Sequence, residues 1–486
     1  MSTKVSRSKR RHRVRPPASG QPPSPKLLPE DIDASAEELI AFHHLFHDCF
    51  YRREQRQWSL FYLCGQLSNL ERKTIEPMVL ALHGADPKAV RAAQRFMTES
   101  TWDRSRMREH QHELIVADLG EADGVVIADG SGFPKQGSHS VGVAYQYCGH
   151  LGKVANCQQG VFLVYASSRG YAFLDERLYL PEGWFTDEYR ERWQACRIPE
   201  DVRFQTEPEL ALDMMTDTVQ GAVVPFRWVT ADETYGKSPV FMEEIDRLGK
   251  WYLVEVPADT RVWLHTPAVE APRRGLLRPR RTRPRVARNA PRPREVRDLV
   301  GDLPKSKWVR RIIKEGSKGP LMAEFAFLRA TPVREGLPGP RIWLVFRRTL
   351  GPEPEVKFYF SNAPTTCPRS EFIRVSGVRW PVETALEEGK GEVGLDHYET
   401  RTWPGWHHHM THTFSAHLFL IRLRLRWQKK PRAHDRAGPP AHRTGYRRRS
   451  VSVAQCVGHL ALPAIPQSCR LPFTPQAHHE AASPAF

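Results

Sequence analysis

The first pattern in the chain is the helical spacing of its apolar residues. Over residues 29–119, apolar side chains recur three and four positions apart, as at Phe42 and Phe46, and this spacing places them on one face of a helix. Asp86 followed by Pro87 is typical of a helix start, because Asp caps the first turn and proline suits its first position. The pattern predicts an all-helical domain over residues 29–119.

Short, continuous apolar runs replace the helical spacing from Gly124 onward, and such runs predict buried strands. The first predicted strand lies within residues 124–133, where it ends at Asp129 before a Gly-rich turn. Further strands are predicted over residues 141–149, 157–167, 224–232 and 250–257, and the helices between them over residues 207–216 and 241–249, the second capped by Ser238. Three strands followed by alternating helices and strands predict a mixed α/β fold whose sheet lies between helices.

Residues 264–375 interrupt this alternation. Within them, residues 271–300 contain eleven Arg and five Pro, and this density of proline excludes a regular helix or strand. Four strand-like runs follow, so we expect a β-rich insertion. Beyond it, the apolar spacing predicts a helix over residues 381–393 and another over residues 407–426.

Both ends of the chain lack apolar periodicity. Residues 1–28 combine basic residues with proline, and residues 429–486 hold many Pro and His residues without helix caps. Such segments bury too little apolar surface to offset the entropy of ordering, so we expect both to be disordered. The abrupt loss of pattern after Trp427 also favours the hypothesis that the C-terminus is read out of frame.

The composition limits the class of protein. At roughly 100–200 residues per domain, the 486 residues correspond to two to four domains. No run approaches the roughly 18 apolar residues of a membrane span, and the N-terminus lacks the apolar segment of a secretory signal, so we expect a cytoplasmic protein that makes no membrane contact. Eight Cys without a C-x-x-C pair argue against a disulfide framework and a zinc knuckle.

The net charge of +17 is unevenly distributed. Residues 1–28 carry +8, residues 271–300 carry +9 and residues 429–486 carry +7, so the rest of the chain carries −7. Basic segments on an acidic body favour a polyanion partner, because each cation that meets a phosphate releases a counterion. The alternative is that these segments only aid solubility or reflect a coding bias.

Two carboxylates occupy unusual positions. Asp129 follows an apolar run and precedes a Gly-rich turn, and Asp232 ends a second apolar run just before a helix. The carboxyl ends of strands are where open α/β sheets bind ligands, and a poorly solvated carboxylate there is well suited to a divalent cation. The alternative is that each Asp merely starts a turn or caps a helix.

A third candidate element is the predicted helix that contains Glu383 and Lys390. Seven residues make nearly two helical turns, so these two side chains share a face, with Glu387 on the same side and Glu388 roughly opposite. Arg379 precedes a proline, so helical spacing does not fix its direction. A solvated helix with acid–base pairs is the alternative.

Three strings in the chain carry a resemblance to a known family. Residues 127–161 (IADGSGFPKQGSHSVGVAYQYCGHLGKVANCQQGV), residues 227–239 (RWVTADETYGKSP) and residues 379–411 (RWPVETALEEGKGEVGLDHYETRTWPGWHHHMT) resemble DDE-type transposases of bacterial insertion sequences, most closely the insertion-sequence seven-hundred-one group. The resemblance extends over residues 40–428. It implies a ribonuclease-H-like core, interrupted by a β-rich insertion, in which Asp, Asp and Glu bind two Mg²⁺ ions, with Mn²⁺ as the alternative.

The family's motifs assign roles to individual residues here. Asp129 and Asp232 correspond to the two Asp residues of the motif. The signature Tyr-x2-Arg-x3-Glu-x6-Lys falls on Arg379, Glu383 and Lys390, which makes Glu383 the third acid, whereas Ser376 occupies the Tyr position. We expect Arg379 and Lys390 to contact DNA phosphates. The residues beside the first acid are either further phosphate contacts or ordinary surface positions: Lys135, His139 and Lys153.

The resemblance also implies an organisation along the chain. We expect a basic arm over residues 1–28, a helical and DNA-binding domain over 29–119, the first part of the core over 120–263, the insertion over 264–375, the helical part of the core with the Glu over 376–428, and a basic tail over 429–486.

The implied function is metal-dependent DNA cleavage and strand transfer at insertion-sequence ends. We expect the partners to be the terminal inverted repeats and target DNA, with the protein acting as a homodimer in the bacterial nucleoid. One alternative is a DNA-binding relic that has lost catalysis, which Ser376 and the aberrant tail favour. A glycosidase, which also uses paired acids, is the other, and the basic arms argue against it.

Overall fold

The computed structural model describes residues 29–271, 283–316 and 319–429. The disorder expected for residues 1–28 and for the tail beyond Lys429 lies outside the described residues, as does part of the Arg/Pro-rich stretch. In the described part of the chain, none of the helices combines the length and the apolar character that crossing a membrane would require.

Five helices form the N-terminal part, as the apolar spacing predicts. They are α1 (Pro29–His44), α2 (Arg53–Leu67), α3 (Ile75–His83), α4 (Pro87–Thr98) and α5 (Arg104–Leu119). Asp86 caps α4, because its side chain accepts a hydrogen bond from the N–H of Lys88. Their buried side chains share one core with the C-terminal helix Trp403–Lys429, where the rings of Phe42 and Phe419 lie 5.3 Å apart.

The centre of the molecule is a mixed sheet with its connecting helices. The first strands are β1 (Val125–Pro134), β2 (Ala144–Cys148), β3 (Lys153–Ala166), β4 (Tyr171–Tyr179), β5 (Trp228–Ala231) and β6 (Trp251–Val256). The helices among them are α6 (Arg190–Ala195), α7 (Glu207–Gln220), α8 (Glu233–Gly236) and α9 (Pro239–Arg247). The strand order runs β4-β3-β1-β5-β6, in which β1, β5 and β6 are parallel and the β3 pairings are antiparallel.

The β-rich segment continues this sheet. Its strands are β7 (Arg261–Trp263), β8 (Val269–Glu270), β9 (Arg285–Val286), β10 (Arg294–Glu295), β11 (Val309–Gly316), β12 (Gly319–Arg334), β13 (Leu337–Pro338), β14 (Ile342–Thr349) and β15 (Val356–Ser361). The antiparallel pairing of β15 with β6 joins them to the central strands, and β8 and β9 form a separate pair. Three helices complete the described chain: α10 (Arg369–Val378), α11 (Trp380–Val393) and α12 (Trp403–Lys429).

Helices cover both faces of the central strands, which confirms the mixed α/β prediction. On one face, Val126 and Ala128 of β1 pack with α7 and α9, for example with Met214. On the other face, Val125 and Ile127 pack with α10, α11 and α12. The alternation along β1 therefore assigns Asp129, two residues after Ile127, to the face of α10 and α11.

Two local predictions were wrong. Asp129 does not end its strand, because β1 continues beyond it to Pro134 through antiparallel pairing with β3. The strand β4 was not predicted either, since Asp175 and Glu176 interrupt its apolar pattern. Both acids are buried in the structure, where Arg108 lies 2.9 Å from Asp175 and Arg104 lies 2.7 Å from Glu176.

Candidate active site

The register of the parallel strands brings three acids to one level. The β1–β5 ladder ends at the pair Ala128 and Ala231. Asp129 is the next residue of β1, and Asp232 directly follows β5 as the N-cap of α8. The β5–β6 ladder ends at Ala231 and Val254, which places Glu255 at the same level on β6. Side chains at one level of adjacent strands are neighbours, so the sheet places these three carboxylates side by side.

Asp129 lies in the least solvated part of this group. Its Oδ1 accepts a hydrogen bond of 2.9 Å from the N–H of Gly130. Burial raises the pKa of Asp129 to about 7, and the charges of Asp232 and Glu383 act in the same direction, against the opposing charge of Arg379. A carboxyl group in this environment binds a proton or a cation readily near neutral pH.

The sequence left two roles open for Asp232, a helix cap and a carboxylate that faces a ligand site at the end of a strand. The structure is compatible with both. Its Oδ1 accepts a hydrogen bond of 2.9 Å from the N–H of Thr234 and caps the short helix α8. Its Oδ2 lies 3.9 Å from the guanidinium of Arg379. The cap leaves this second oxygen directed toward the other charged groups.

Arg379 lies among the acids, at the junction of α10 and α11. Its guanidinium donates a hydrogen bond of 3.1 Å to Glu255. Although burial lowers its pKa, the charges of Asp129, Asp232, Glu255 and Glu383 raise it overall. Arg379 is thus oriented by carboxylates of the same chain.

Glu383 and Lys390 share the face of α11 that their spacing predicts. Glu383 is exposed and close enough to Asp129 to act on its pKa. The Nζ of Lys390 lies 3.4 Å from the carbonyl oxygen of Gly132 in β1, and burial lowers the pKa of Lys390. Glu388 points the other way, toward Arg424 at 2.8 Å and His417 at 3.2 Å in α12.

Ser376 does not offer its hydroxyl to the site. The side chain is buried in α10 and donates a hydrogen bond of 2.8 Å to the carbonyl oxygen of Ile373, one turn earlier. Ser376, which stands where the family signature has Tyr, therefore forms its hydrogen bond within its own helix.

The three remaining basic candidates lie apart from the acids. The Nζ of Lys135 is 3.4 Å above the ring of Tyr398, and burial lowers its pKa to about 8. The charges that act on Lys135 are those of Asp396, Glu399 and Arg72. His139 and Lys153 are exposed, His139 in the loop after β1 and Lys153 at the start of β3.

Sequence reasoning missed three residues that the structure places near these acids: Glu255, Glu207 and Tyr235. A signal for Glu255 exists, because it lies four residues into an apolar strand that begins at Trp251, as Asp232 does after Trp228. Glu207 opens the predicted helix α7, and Tyr235 lies in the one-turn helix α8, which the apolar spacing does not predict. Neither of these two carries a local signal of its place in the site.

The donor chemistry fits hard divalent cations. Asp129, Asp232 and Glu383 supply only carboxylate oxygens, the ligands that Mg²⁺ prefers. Burial raises the pKa of Asp129, and a nearby cation would favour its ionised form. Among the described residues, the one group with donor atoms within 4.8 Å of one another is Asp48, Cys49 and His110 in the N-terminal part. Arg106 contacts that Asp48 at 3.1 Å. Asp129, Asp232 and Glu383 do not bring their carboxylate oxygens this close together among the described residues, so their fit to Mg²⁺ rests on their carboxylate chemistry and on the register of β1 and β5.

The chain belongs to the DDE superfamily endonucleases, whose family model matches residues 45–320. This match includes Asp129 and Asp232 and ends before Glu383. The chain is similar to the probable transposase for insertion sequence element IS701 of Microchaete diplosiphon, with 27% identity over 343 residues, which cover 70% of this chain and 76% of that protein. These matches confirm the resemblance to insertion-sequence transposases.

Among solved structures, the chain is similar to the piggyBac transposase in its synaptic complex with hairpin DNA. The TM-score is 0.39 and the sequence identity is 10%, over 90% of this chain and 80% of that chain.

Proposed function

We propose that this protein cleaves DNA at the ends of an insertion sequence and transfers the strands, using Asp129, Asp232 and Glu383 as its catalytic acids. The observation that carries the proposal is the register of β1 and β5, which places Asp129 and Asp232 next to each other one residue beyond the last parallel pair. The family match supports the class of reaction.

A ribonuclease-H-like core is part of this proposal. The order β4-β3-β1-β5-β6, with three parallel strands beside an antiparallel pair, supports it. The proposed insertion over residues 264–375 enters the same sheet at β6 and returns to the site through α10. In this arrangement, the insertion separates Asp232 from Glu383 along the chain while both remain at one end of the sheet.

The three acids would hold two Mg²⁺ ions. Bound there, the ions would activate a water or a 3′-hydroxyl and neutralise charge on the leaving oxygen. The chain's own residues prepare this site. Burial and the charges of neighbouring carboxylates raise the pKa of Asp129, and a cation bound beside it would favour its ionised form. Glu255 orients Arg379 beside Asp232, where its planar guanidinium is available to a DNA phosphate.

Lys390 and the basic segments would bind the DNA backbone. Lys390 lies on the same face of α11 as Glu383 and directs its ammonium group toward β1. Its proposed role is that of a point charge on a phosphate near the cleaved bond. Lys135, His139 and Lys153 would contact DNA only further from the acids. The expected partners are the terminal repeats and a target duplex, with the protein as a homodimer.

The test is cleavage of a labelled duplex that carries the insertion-sequence end, with Mg²⁺ or with EDTA. We predict cutting that requires Mg²⁺ and that Asp232→Ala reduces by at least a factor of about 10³, because a carboxylate at the metals cannot be replaced by a methyl group. Glu233→Ala, which removes the exposed neighbouring acid, should retain cutting. Metal-dependent cutting by Asp232→Ala would contradict the assignment, and DNA binding without cutting by the wild type would point to a relic.

A further inference from the structure

A fourth carboxylate reaches the catalytic acids from the opposite face of the sheet. Glu207 is the first residue of α7, which packs on the face that lies behind Asp129. A Cβ atom built on Gly130 would lie 2.8 Å from Oε2 of Glu207 and 2.7 Å from Nε2 of Gln159. The missing side chain at Gly130 therefore lets Glu207 and Gln159 approach β1 directly beside Asp129.

The environment of Glu207 connects it to the site. Burial raises its pKa, a hydrogen bond from the Gln159 side chain opposes this, and the charge of Asp232 raises the pKa further. Glu207 is thus a partly desolvated acid within electrostatic range of a proposed metal ligand. Such a group is stabilised when a divalent cation is bound nearby.

Tyr235 supplies an independent observation at the same place. The side chain is 1% exposed, and its hydroxyl has no hydrogen-bond partner among the described residues. Besides burial, the charges that raise its pKa are those of Glu207, Asp129 and Asp232. A buried hydroxyl without a partner, within electrostatic range of three carboxylates, is a donor that a bound ligand can engage, since buried hydroxyls are almost always paired.

We propose that Glu207 is a fourth carboxylate of the catalytic centre and that the Tyr235 hydroxyl joins it to the Asp129–Asp232 pair, so that both residues strengthen divalent-cation binding. This inference rests on the proposed function. Both act as positioning residues: Glu207 adds negative charge behind the pair, and the unpaired Tyr235 hydroxyl would donate a hydrogen bond to one of these carboxylates once a cation is bound. Outer partners of this kind change metal affinity by about 10- to 100-fold when removed.

The experiment measures cation binding directly on the full-length protein, by the shift in melting temperature during a Mn²⁺ titration without DNA. We expect Glu207→Gln and Tyr235→Phe each to raise the Mn²⁺ concentration at the midpoint by about 10-fold. The matched controls are Glu209→Gln, in the same helical turn, and Tyr252→Phe, a buried tyrosine in β6, and both should keep the wild-type midpoint.

Tyr235→Phe separates this role from a structural one. Because the hydroxyl has no partner, its loss should leave the metal-free melting temperature unchanged or raise it, while Mn²⁺ binding weakens. Wild-type midpoints in both Glu207→Gln and Tyr235→Phe, beside a shifted midpoint in Asp232→Ala, would overturn this inference alone. An unshifted midpoint in Asp232→Ala would instead overturn the proposed metal site itself, and this inference with it.

Discussion

Asp129 carries a partly buried carboxyl group, one residue beyond the last parallel pair of β1 and β5. Its pKa of about 7 in the folded protein lies above its ordinary value of 3.8. Between these pH values the folded chain binds more protons than the unfolded chain, so the free energy of unfolding falls as the pH rises through this window. Above pH 7, where the site would be used, the folded protein bears the full loss of stability that comes from ionising Asp129.

Asp129→Asn should therefore stabilise the metal-free protein while it abolishes cleavage. Three pKa units correspond to about 4 kcal/mol as an upper bound, and we expect a gain of roughly 1–4 kcal/mol at pH 8 that vanishes near pH 4. Denaturant unfolding of both proteins in EDTA at these two pH values measures it. If the variant is no more stable than the wild type at pH 8, burial does not disfavour the ionised form of Asp129 as inferred.

At the same scale, the sequence shows which residues are chemically suited to a site but not which of them meet. Asp129 and Asp232 could be predicted because each follows an apolar run, and Glu383 because it falls in a family signature. Glu255 follows an apolar run in the same way, but its place beside Asp232 depends on β6 lying in register with β5. Arg379 could not be oriented, because the α10–α11 junction sets its direction.

At the scale of elements, α12 is the helix that joins the two parts of the protein. It packs on the N-terminal helices through Phe419 and on the sheet through Phe414, which stacks on Phe173 at 4.6 Å. Four histidines in its first turns are buried: His407, His408, His409 and His412. The sequence predicted the helix, but the partners of these imidazoles come from distant segments, as in the bond between His409 and Tyr62.

The packing of α12 against the N-terminal helices should weaken in mild acid. Burial lowers the pKa of His43, His408 and His409 to about 3, so their contribution is complete above the unfolded pKa of 6.5 and is lost as the pH falls from 6.5 toward 3. Each should cost about 1.4 kcal/mol at pH 5.5, because only the unfolded chain is then protonated.

Unfolding free energies of the wild type and of His408→Gln at pH 7.5 and 5.5 measure this loss. The variant should lose less stability between these pH values than the wild type, whereas His150→Gln, at an exposed position, should behave as the wild type. Equal pH dependence in His408→Gln and the wild type would contradict the prediction.

At the scale of the whole molecule, one sheet connects the chemistry to the rest of the chain. The apolar runs of β1, β3, β5 and β6 predicted its central strands, since buried strands read as continuous apolar segments. Strand β4 could not be predicted, because its buried acids are paired with Arg104 and Arg108 of α5. The continuation of the sheet into the insertion depends on the long-range pairing of β15 with β6. Neither strand's own sequence indicates this partner.

The same long-range order brings Glu383 to Asp129 across more than half of the chain. The central claim is that these acids form one metal-dependent DNA-cutting site with Asp232. Glu383 and Glu387 offer a matched pair for testing it, because they lie one turn apart on α11, both exposed and on the same side.

The most direct measurement is Mg²⁺-dependent cleavage of a labelled insertion-sequence end by the wild type, Glu383→Gln and Glu387→Gln, with DNA binding measured in parallel. We predict cutting by the wild type and by Glu387→Gln, and a loss of at least about 10³-fold in Glu383→Gln with DNA binding retained. Full cutting by Glu383→Gln would contradict the account.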